Sequence, residues 1–266
     1  MTENTNRLMH FPIAFYAIIL GLSGFTIAFE KAEELLGFRV EISVYLLYIT
    51  LAVFCFVTGM YLIKLFVHPS EVQKDFAHPN KINFFAAFSI SLLLISIAFH
   101  PVSMTAAKWL CLAGMILHLL FTLKVLSFWI QHQQLEIVSM NPAWFIPVVG
   151  NILVPVAAAG LFPMEISWFF FSIGFGFWIV LFSILFNRII FHRPMHDKML
   201  PTLFILIAPP SVAVLAYTKL IGEINDFTKI LYYFGLFLLI MLVVQIRYLS
   251  VSYTHLRAHE TVLDLV

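Results

Sequence analysis

Eight apolar runs, each long enough to cross a bilayer, dominate the chain. A membrane-spanning helix needs about 20 apolar residues, and only 11% of the 266 residues are charged whereas 62% are hydrophobic. Helices satisfy their own backbone hydrogen bonds in lipid, so the sequence predicts an all-α integral membrane protein with one domain at 1–250. Spans one to eight are predicted at 10–29, 42–66, 83–103, 106–130, 142–162, 166–191, 200–221 and 227–250.

The distribution of Lys and Arg predicts which side of the membrane holds the N-terminus. Ten of these residues fall on the N-terminal side and five on the opposite side, whereas Asp and Glu divide seven and seven. An excess of Lys and Arg marks the cytoplasmic side of a membrane protein, so we expect a cytoplasmic N-terminus. The net charge of +1 gives no reason to expect a nucleic-acid partner.

Residues that disturb helices are concentrated in the odd-numbered spans. Span five carries three prolines and an asparagine, and span seven carries the pair Pro209-Pro210, whereas the even-numbered spans have no interior proline. Proline frees backbone groups, which inside a membrane must be satisfied by protein or by water. The alternation predicts helical hairpins in two concentric layers, with the odd spans around a central pore. The alternative is that the prolines only shape a solid bundle.

The interiors of the predicted spans contain no Asp or Glu. Ion-driven carriers and cation channels place carboxylates there, so a path free of acids favours an anion. No motif indicates an enzyme, and we expect neither a cofactor nor a metal. The histidines of HRPMH are interpreted as part of a solvated basic rim, and His118 of span four as hydrogen-bonded to a neighbouring carbonyl.

Four stretches carry a family resemblance: HFPIAFYAIILGLSGF, HPNKINFFAAFSISLLLIS, NPAWFIPVVGNILVPVAAAG and MLPTLFILIAPPSVAVLAY. They resemble the tellurite-resistance and plant slow-anion-channel (TehA/SLAC1-type) family, which includes malate and sulfite transporters. The proline spacing of the third stretch and the APPS element of the fourth are the most specific. The resemblance implies ten spans in five hairpins, an inner layer of odd helices, a homotrimer and passive anion flux. On this basis we expect a protein of the bacterial inner (plasma) membrane.

The chain offers two spans fewer than the resemblance implies. Residues 251–266 are polar and look non-native, so we expect a C-terminally truncated chain with eight of ten spans. In the family, the ninth span carries the phenylalanine that plugs the pore, so no residue here is assigned as the gate. A missing fifth hairpin would leave a gap that faces lipid beside the inner layer.

Candidate pore-lining residues come from the odd-numbered spans. Pro147, Asn151 and Pro155 recur every four residues and therefore share one face of a helix. For the phenylalanines, ordinary packing is the competing interpretation. The predicted lining set is Pro12, Phe15, Gly21, Gly24, Phe84, Phe88, Pro147, Asn151, Pro155, Pro209, Pro210 and Ser211. The predicted cytoplasmic basic rim, which would concentrate anions, comprises Lys74, Lys81, Arg188, Arg193 and Lys198.

The sequence therefore favours a passive channel for small anions, embedded in the bilayer as a homotrimer. Its selectivity would arise from the cost of dehydrating ions in a narrow apolar lumen. The alternative is a secondary transporter of C4-dicarboxylates, sulfite or tellurite-type oxyanions, which the lack of carboxylates inside the spans disfavours. A third hypothesis is a structural membrane subunit that moves no ions.

Overall fold

Helices form nearly all of the regular structure, and their ends follow the proline, glycine and charge pattern of the sequence. The computed structural model describes residues 6–37, 41–131, 135–193, 195 and 197–263, and it describes the side chains of these except at 6–7, 197–198 and 246–263. No strand occurs within these residues. The predicted all-α membrane fold is confirmed.

Seven of the eight predicted spans are helices long and apolar enough to cross a membrane, within the described residues. Their bounds are Ile13–Leu36, Ile42–Val67, Ile82–Phe99, Met104–Gln131, Met164–Phe191, Met199–Ile221 and Asp226–Gln245. Span one begins with the 3₁₀ turn Ile13–Phe15, and span seven begins with the 3₁₀ helix Asp197–Ile207, which the α-helix Ala208–Ile221 continues. Shorter helices lie at Asn6–Met9, Pro69–Ala77 and Ile137–Ser139.

Span eight continues beyond its predicted end. Its helix runs Asp226–Leu263, so the backbone of the segment predicted to be a polar tail is helical as far as Leu263. Residues 264–266 lie outside the described residues. The division into a domain at 1–250 and a tail at 251–266 stays a prediction.

Span five is shorter and less regular than the other spans. Its prolines predict the irregularity. It is shorter than the predicted 142–162 and covers Pro142–Ala158. Two 3₁₀ segments, Pro142–Trp144 and Gly150–Leu153, alternate with two five-residue α segments, Phe145–Val149 and Val154–Ala158. Because a 3₁₀ residue advances about 2.0 Å and an α residue about 1.5 Å, the span extends about 29 Å, close to the thickness of a bilayer core.

The hairpins pack in two layers. Span one packs on span three, span three on span five, and span five on span seven, so the odd-numbered spans form an arc. Each even-numbered span packs on its odd hairpin partner. Spans six and eight also contact each other through aromatic side chains, as in the pair Trp178 and Phe234. Connections of a few residues hold the members of each hairpin together. This is the layered order that the alternation of helix-disturbing residues predicts.

The buried fraction differs more among the odd-numbered spans than their shared pattern of helix-disturbing residues predicts. In span three, 67% of the apolar window is buried, compared with 28% to 33% in the other six long spans. Span five is buried along almost its whole length. Spans one and seven lie at the two ends of the arc, so each leaves one face uncovered. The described residues therefore form an arc of odd spans and not a closed ring.

Glycines allow the closest helix contacts of the bundle. A Cβ atom at Gly174 of span six would lie 2.6 Å from the backbone nitrogen of Ile152 in span five. A Cβ at Gly114 of span four would lie 2.9 Å from Leu93 of span three. Real Cβ atoms do not come so near, so the close packing of these two hairpins requires glycine at both positions.

Gly174→Ala is expected to destabilise the protein by about 1–3 kcal/mol, because the added methyl meets the backbone of span five and not a flexible side chain. Gly176→Ala is the matched control, since a Cβ there meets nothing within 4 Å. The control should be neutral or stabilising by up to about 1 kcal/mol. Unfolding of the two variants in detergent provides the measurement, and equal stability would contradict the packing described.

Candidate functional site

Four polar side chains meet in the interior where spans three, four and five cross. Ser89 comes from span three, His118 and Thr122 from span four, and Asn151 from span five, and none is more than 1% exposed. His118 and Thr122 are four residues apart, so they share a helix face. Ser89 Oγ lies 2.9 Å from His118 Nδ1, and Asn151 Nδ2 donates to Thr122 Oγ1 at 3.0 Å. We call these four residues the polar cluster.

The polar cluster satisfies backbone carbonyls at the break in span five. Thr122 Oγ1 lies 2.6 Å from the carbonyl oxygen of Pro147, and Asn151 Nδ2 donates to that of Val148 at 2.7 Å. These carbonyls immediately precede the 3₁₀ segment that begins at Gly150, where the hydrogen-bond pattern of the helix changes. The Thr122 hydroxyl also lies 2.8 Å from the His118 carbonyl of its own helix, so its one proton is shared between two acceptors. A side chain of the outer layer therefore hydrogen-bonds to the backbone of span five at this point, a contact that lipid could not provide.

His118 has a hydroxyl partner and not the carbonyl that was predicted. Ser89 Oγ donates to the Ala86 carbonyl at 2.8 Å, so in its contact with His118 the donor is assigned to Nδ1 of the imidazole. Nε2 is then an acceptor, and it has no partner among the described residues. A Cβ at Gly150 would lie 2.9 Å from it, so span five closes over the ring. His118 is sealed from water.

The predicted lining residues of spans one and seven divide between exposed and buried positions. Pro12, Phe15, Gly21 and Gly24 are exposed on span one. A Cβ at either glycine would meet nothing within 4 Å. On span seven Ser211 is exposed, whereas Pro209 and Pro210 are buried.

The predicted lining residues of spans three and five are more enclosed. Phe84 and Phe88 are half-buried, and the Phe88 ring stacks on Phe54 of span two with its centroid 5.7 Å away. Pro147, Asn151 and Pro155 are buried. Asn151 bonds to Thr122 of the outer layer, so its face of the helix is directed toward span four. The lining role of this set stays a prediction.

The predicted basic rim is largely neutralised or buried. Lys74 pairs with Glu71 at 2.6 Å, and Lys81 pairs with Asp75 at 2.6 Å. Arg188 is buried, and Arg193 is exposed. The side chain of Lys198 lies outside the described residues. His196, of the HRPMH stretch, also lies outside them, and the part of the chain that the structure describes holds no group of three metal-ligating side chains.

A buried ion cluster joins the helix ends on the N-terminal side. Lys64 of span two lies 2.7 Å from Asp75, which stands on the short helix Pro69–Ala77. The Lys64 ammonium also donates to the Phe11 carbonyl at 3.0 Å, so it holds the start of span one. Burial opposes ionisation of Asp75, but hydrogen bonds from Lys64 and Lys81 prevail and lower the pKa of its carboxyl below the ordinary 3.8.

The profile of a known family covers nearly the whole chain. The SLAC1 family, described as "Voltage-dependent anion channel", matches residues 10–260. The chain belongs to this voltage-dependent anion channel family. The match confirms the resemblance that the motifs of the odd-numbered spans indicated.

Relatives within the voltage-dependent anion channel family come from plants and bacteria. S-type anion channel SLAH2 of Arabidopsis thaliana is 30% identical over 249 residues, which cover 90% of this chain and 48% of SLAH2. Guard cell S-type anion channel SLAC1 of the same plant is 25% identical over 253 residues, 91% of this chain and 46% of SLAC1. Tellurite resistance protein TehA homolog of Haemophilus influenzae is 27% identical over 237 residues, which cover 88% of this chain and 72% of that homolog. The chain spans about half the length of these plant relatives.

Sequence reasoning missed Thr122 and the ion cluster. Thr122 follows His118 by one helical turn, a spacing that could have drawn attention to a polar face on an otherwise bulky span. Lys64 lies near the end of an apolar run and Asp75 in a polar connection, so nothing in the pattern pairs them. Only the fold brings them together.

Thr122→Val is expected to destabilise the protein by about 1–3 kcal/mol, because it keeps the side-chain volume but leaves the Pro147 carbonyl without its donor. Thr218→Val is the matched control, since Thr218 donates only within its own helix, to the Val214 carbonyl. Unfolding in detergent compares the two. A loss of stability no greater than that of the control would show that the bond across the layers contributes little.

Asp75→Asn is expected to cost about 3 kcal/mol at neutral pH, because Lys64 is left buried without its counter-ion. A carboxyl whose pKa is lowered by folding stabilises the fold above its unfolded pKa, and this contribution is lost as the pH falls through the folded value. The difference between wild type and variant should therefore close below pH 3.8. Asp226→Asn is the control, since Asp226 is 94% exposed. A difference that persists unchanged in acid would contradict the assignment.

Proposed function

We propose that the chain is a passive anion channel in which spans one, three, five and seven face the conducting path. Membership of the voltage-dependent anion channel family supports the transport of anions. The arc of odd-numbered spans, with the even-numbered spans outside it, supports a path along the concave side of the arc. Placement in a bacterial inner membrane, a cytoplasmic N-terminus and a homotrimer belong to the same proposal.

The observation that carries the proposal is that two carbonyl oxygens of span five accept hydrogen bonds from side chains inside the protein. A broken helix that presented free carbonyl oxygens to a lumen would favour cations, because those oxygens are partially negative. Here Thr122 and Asn151 engage the carbonyls of Pro147 and Val148 inside the protein. Span five can therefore be irregular without directing these two carbonyl oxygens into the path of an anion.

The charges of the spans agree with this proposal. Glu30, Glu165 and Asp226 lie near the ends of their helices, so no carboxylate opposes an anion at mid-depth within the described spans. The lumen would discriminate by the cost of dehydration and by its width. The rim would contribute less than its sequence suggests, because Lys74 and Lys81 have carboxylate partners.

Carrier-type transport of C4-dicarboxylates, sulfite or tellurite-type oxyanions is the second candidate. The observation that favours it is the similarity to Tellurite resistance protein TehA homolog of Haemophilus influenzae. A proton-linked carrier needs a titratable group that reaches water from both sides. His118 lies at mid-span but is sealed from water by span five, so the channel is the better supported candidate.

Liposomes that contain the purified chain distinguish the two candidates. For a channel, the reversal potential should follow the chloride or nitrate gradient, and a pH gradient alone should drive no accumulation. Accumulation of a dicarboxylate or sulfite that depends on a pH gradient would instead identify a carrier. Absence of any flux from a folded chain would contradict both and favour a structural subunit.

Gly21→Leu and Gly24→Leu test the placement of the path. Both glycines are exposed on span one with nothing near a Cβ position, so added side chains should enter the lumen and reduce conductance several-fold. Gly59→Leu is the matched control, because Gly59 of the even-numbered span two has equally open space. Equal conductance of the three folded variants would mean that this face of span one lines no path.

A further inference from the structure

Arg188 is a buried cation that forms no ion pair with an Asp or Glu of the described residues. It lies one turn before the end of span six, on the N-terminal side of the membrane, and it is 3% exposed. An arginine so near a helix end could extend to the interface. Instead its side chain is buried, and both Nε and Nη2 donate to one acceptor, the Val138 carbonyl, at 3.4 and 3.3 Å.

Those two bonds are the only hydrogen bonds that the guanidinium makes to the described residues. The group has five N–H donors and remains protonated in proteins, and bonds of 3.3–3.4 Å to a single neutral carbonyl are long. Among the described residues no Asp or Glu forms an ion pair with Arg188. A buried charge is costly unless it is paired, so an anion bound to Arg188 would be favourable.

A cavity of about 300 Å³ is lined in part by Arg188. It is enclosed by spans six, seven and eight, and its walls are almost entirely apolar. Gln245 is the other polar side chain of the wall. The apolar walls include Phe186, Met195, Leu203, Leu206 and Met241.

We propose that this cavity, which we call the Arg188 pocket, binds an anionic phospholipid, with a phosphate oxygen on Arg188 and an acyl chain along the apolar wall. Guanidinium and phosphate form charge-assisted, often bidentate hydrogen bonds. Basic pockets between membrane helices on the cytoplasmic side are typical sites for such headgroups. Gln245 is placed to bond to a headgroup oxygen.

A lipid fits the Arg188 pocket better than a free anion does. Two of the three enclosing helices, spans six and eight, belong to the outer layer, which faces the bilayer. Ile189 and Gln245 on the rim are exposed, so the pocket opens toward lipid. A small inorganic anion would leave the Leu, Met and Phe wall uncovered, whereas an acyl chain would cover it. The site lies apart from the proposed path along the odd-numbered spans and does not depend on it.

Binding of phosphatidylglycerol to the purified chain in detergent tests the proposal, with phosphatidylcholine as the neutral lipid. Wild type should bind phosphatidylglycerol preferentially. Arg188→Gln should weaken that binding by about tenfold or more, because it removes a charge-assisted hydrogen bond. Arg193→Gln is the matched control, since it removes an exposed arginine from the same side of the membrane, and it should change binding less than twofold.

A second variant keeps the test decisive if Arg188→Gln fails to fold. Leu203→Trp leaves the guanidinium intact but fills the apolar wall, so it should weaken phosphatidylglycerol binding several-fold, whereas Leu239→Trp on the exposed face of span eight should not. Inorganic phosphate at millimolar concentration should fail to displace the lipid. Equal losses from Arg188→Gln and Arg193→Gln, no loss from Leu203→Trp, or displacement by inorganic phosphate would each overturn the proposal.

Discussion

The hydrocarbon core offers no hydrogen-bond partner, and this constraint organises the protein around its broken fifth span. Prolines and 3₁₀ segments interrupt the regular α-helical hydrogen bonding of span five, and carbonyls beside the second 3₁₀ segment have side-chain donors. Thr122 of span four and Asn151 of span five itself supply them. A helix that carries such defects is stable only when packed on an outer partner with a polar side chain at the correct depth. The two-layered arrangement of neighbouring hairpins meets this requirement.

The same logic explains why bulky outer helices carry isolated small or polar residues. Gly174 allows span six to approach the backbone of span five, and Thr122 allows span four to bond to it. Each outer span is otherwise apolar and exposes much of its length. In spans four and six, one well-placed residue each therefore helps to fix the depth and rotation of span five.

Much of the fold could be predicted from the sequence, because span length and proline position follow from hydrophobicity and backbone geometry. The layer order also followed, since defects need protein around them. The neighbouring helix that each face of span five contacts could not be predicted in this way. The shared face of Pro147, Asn151 and Pro155 stays a prediction. Asn151 bonds to Thr122 of span four, and a single sequence does not show which neighbour a buried amide meets. The partners of Lys74 and Lys81 likewise depend on the connection between spans two and three, whose path the sequence leaves open.

The mixed geometry of span five also makes its length adjustable. It extends across a bilayer core with fewer residues than a regular helix needs, because its 3₁₀ segments are stretched relative to α-helix. Each residue that changed from 3₁₀ to α geometry would shorten the span by about 0.5 Å. Conversion of the segment Gly150–Leu153 from 3₁₀ to α geometry would draw the two ends of the span together by about 2 Å. It would also rotate Pro155 and the residues after it relative to Thr122 of span four. Span five is thus the helix in which a small change of pitch becomes a displacement at the membrane surface.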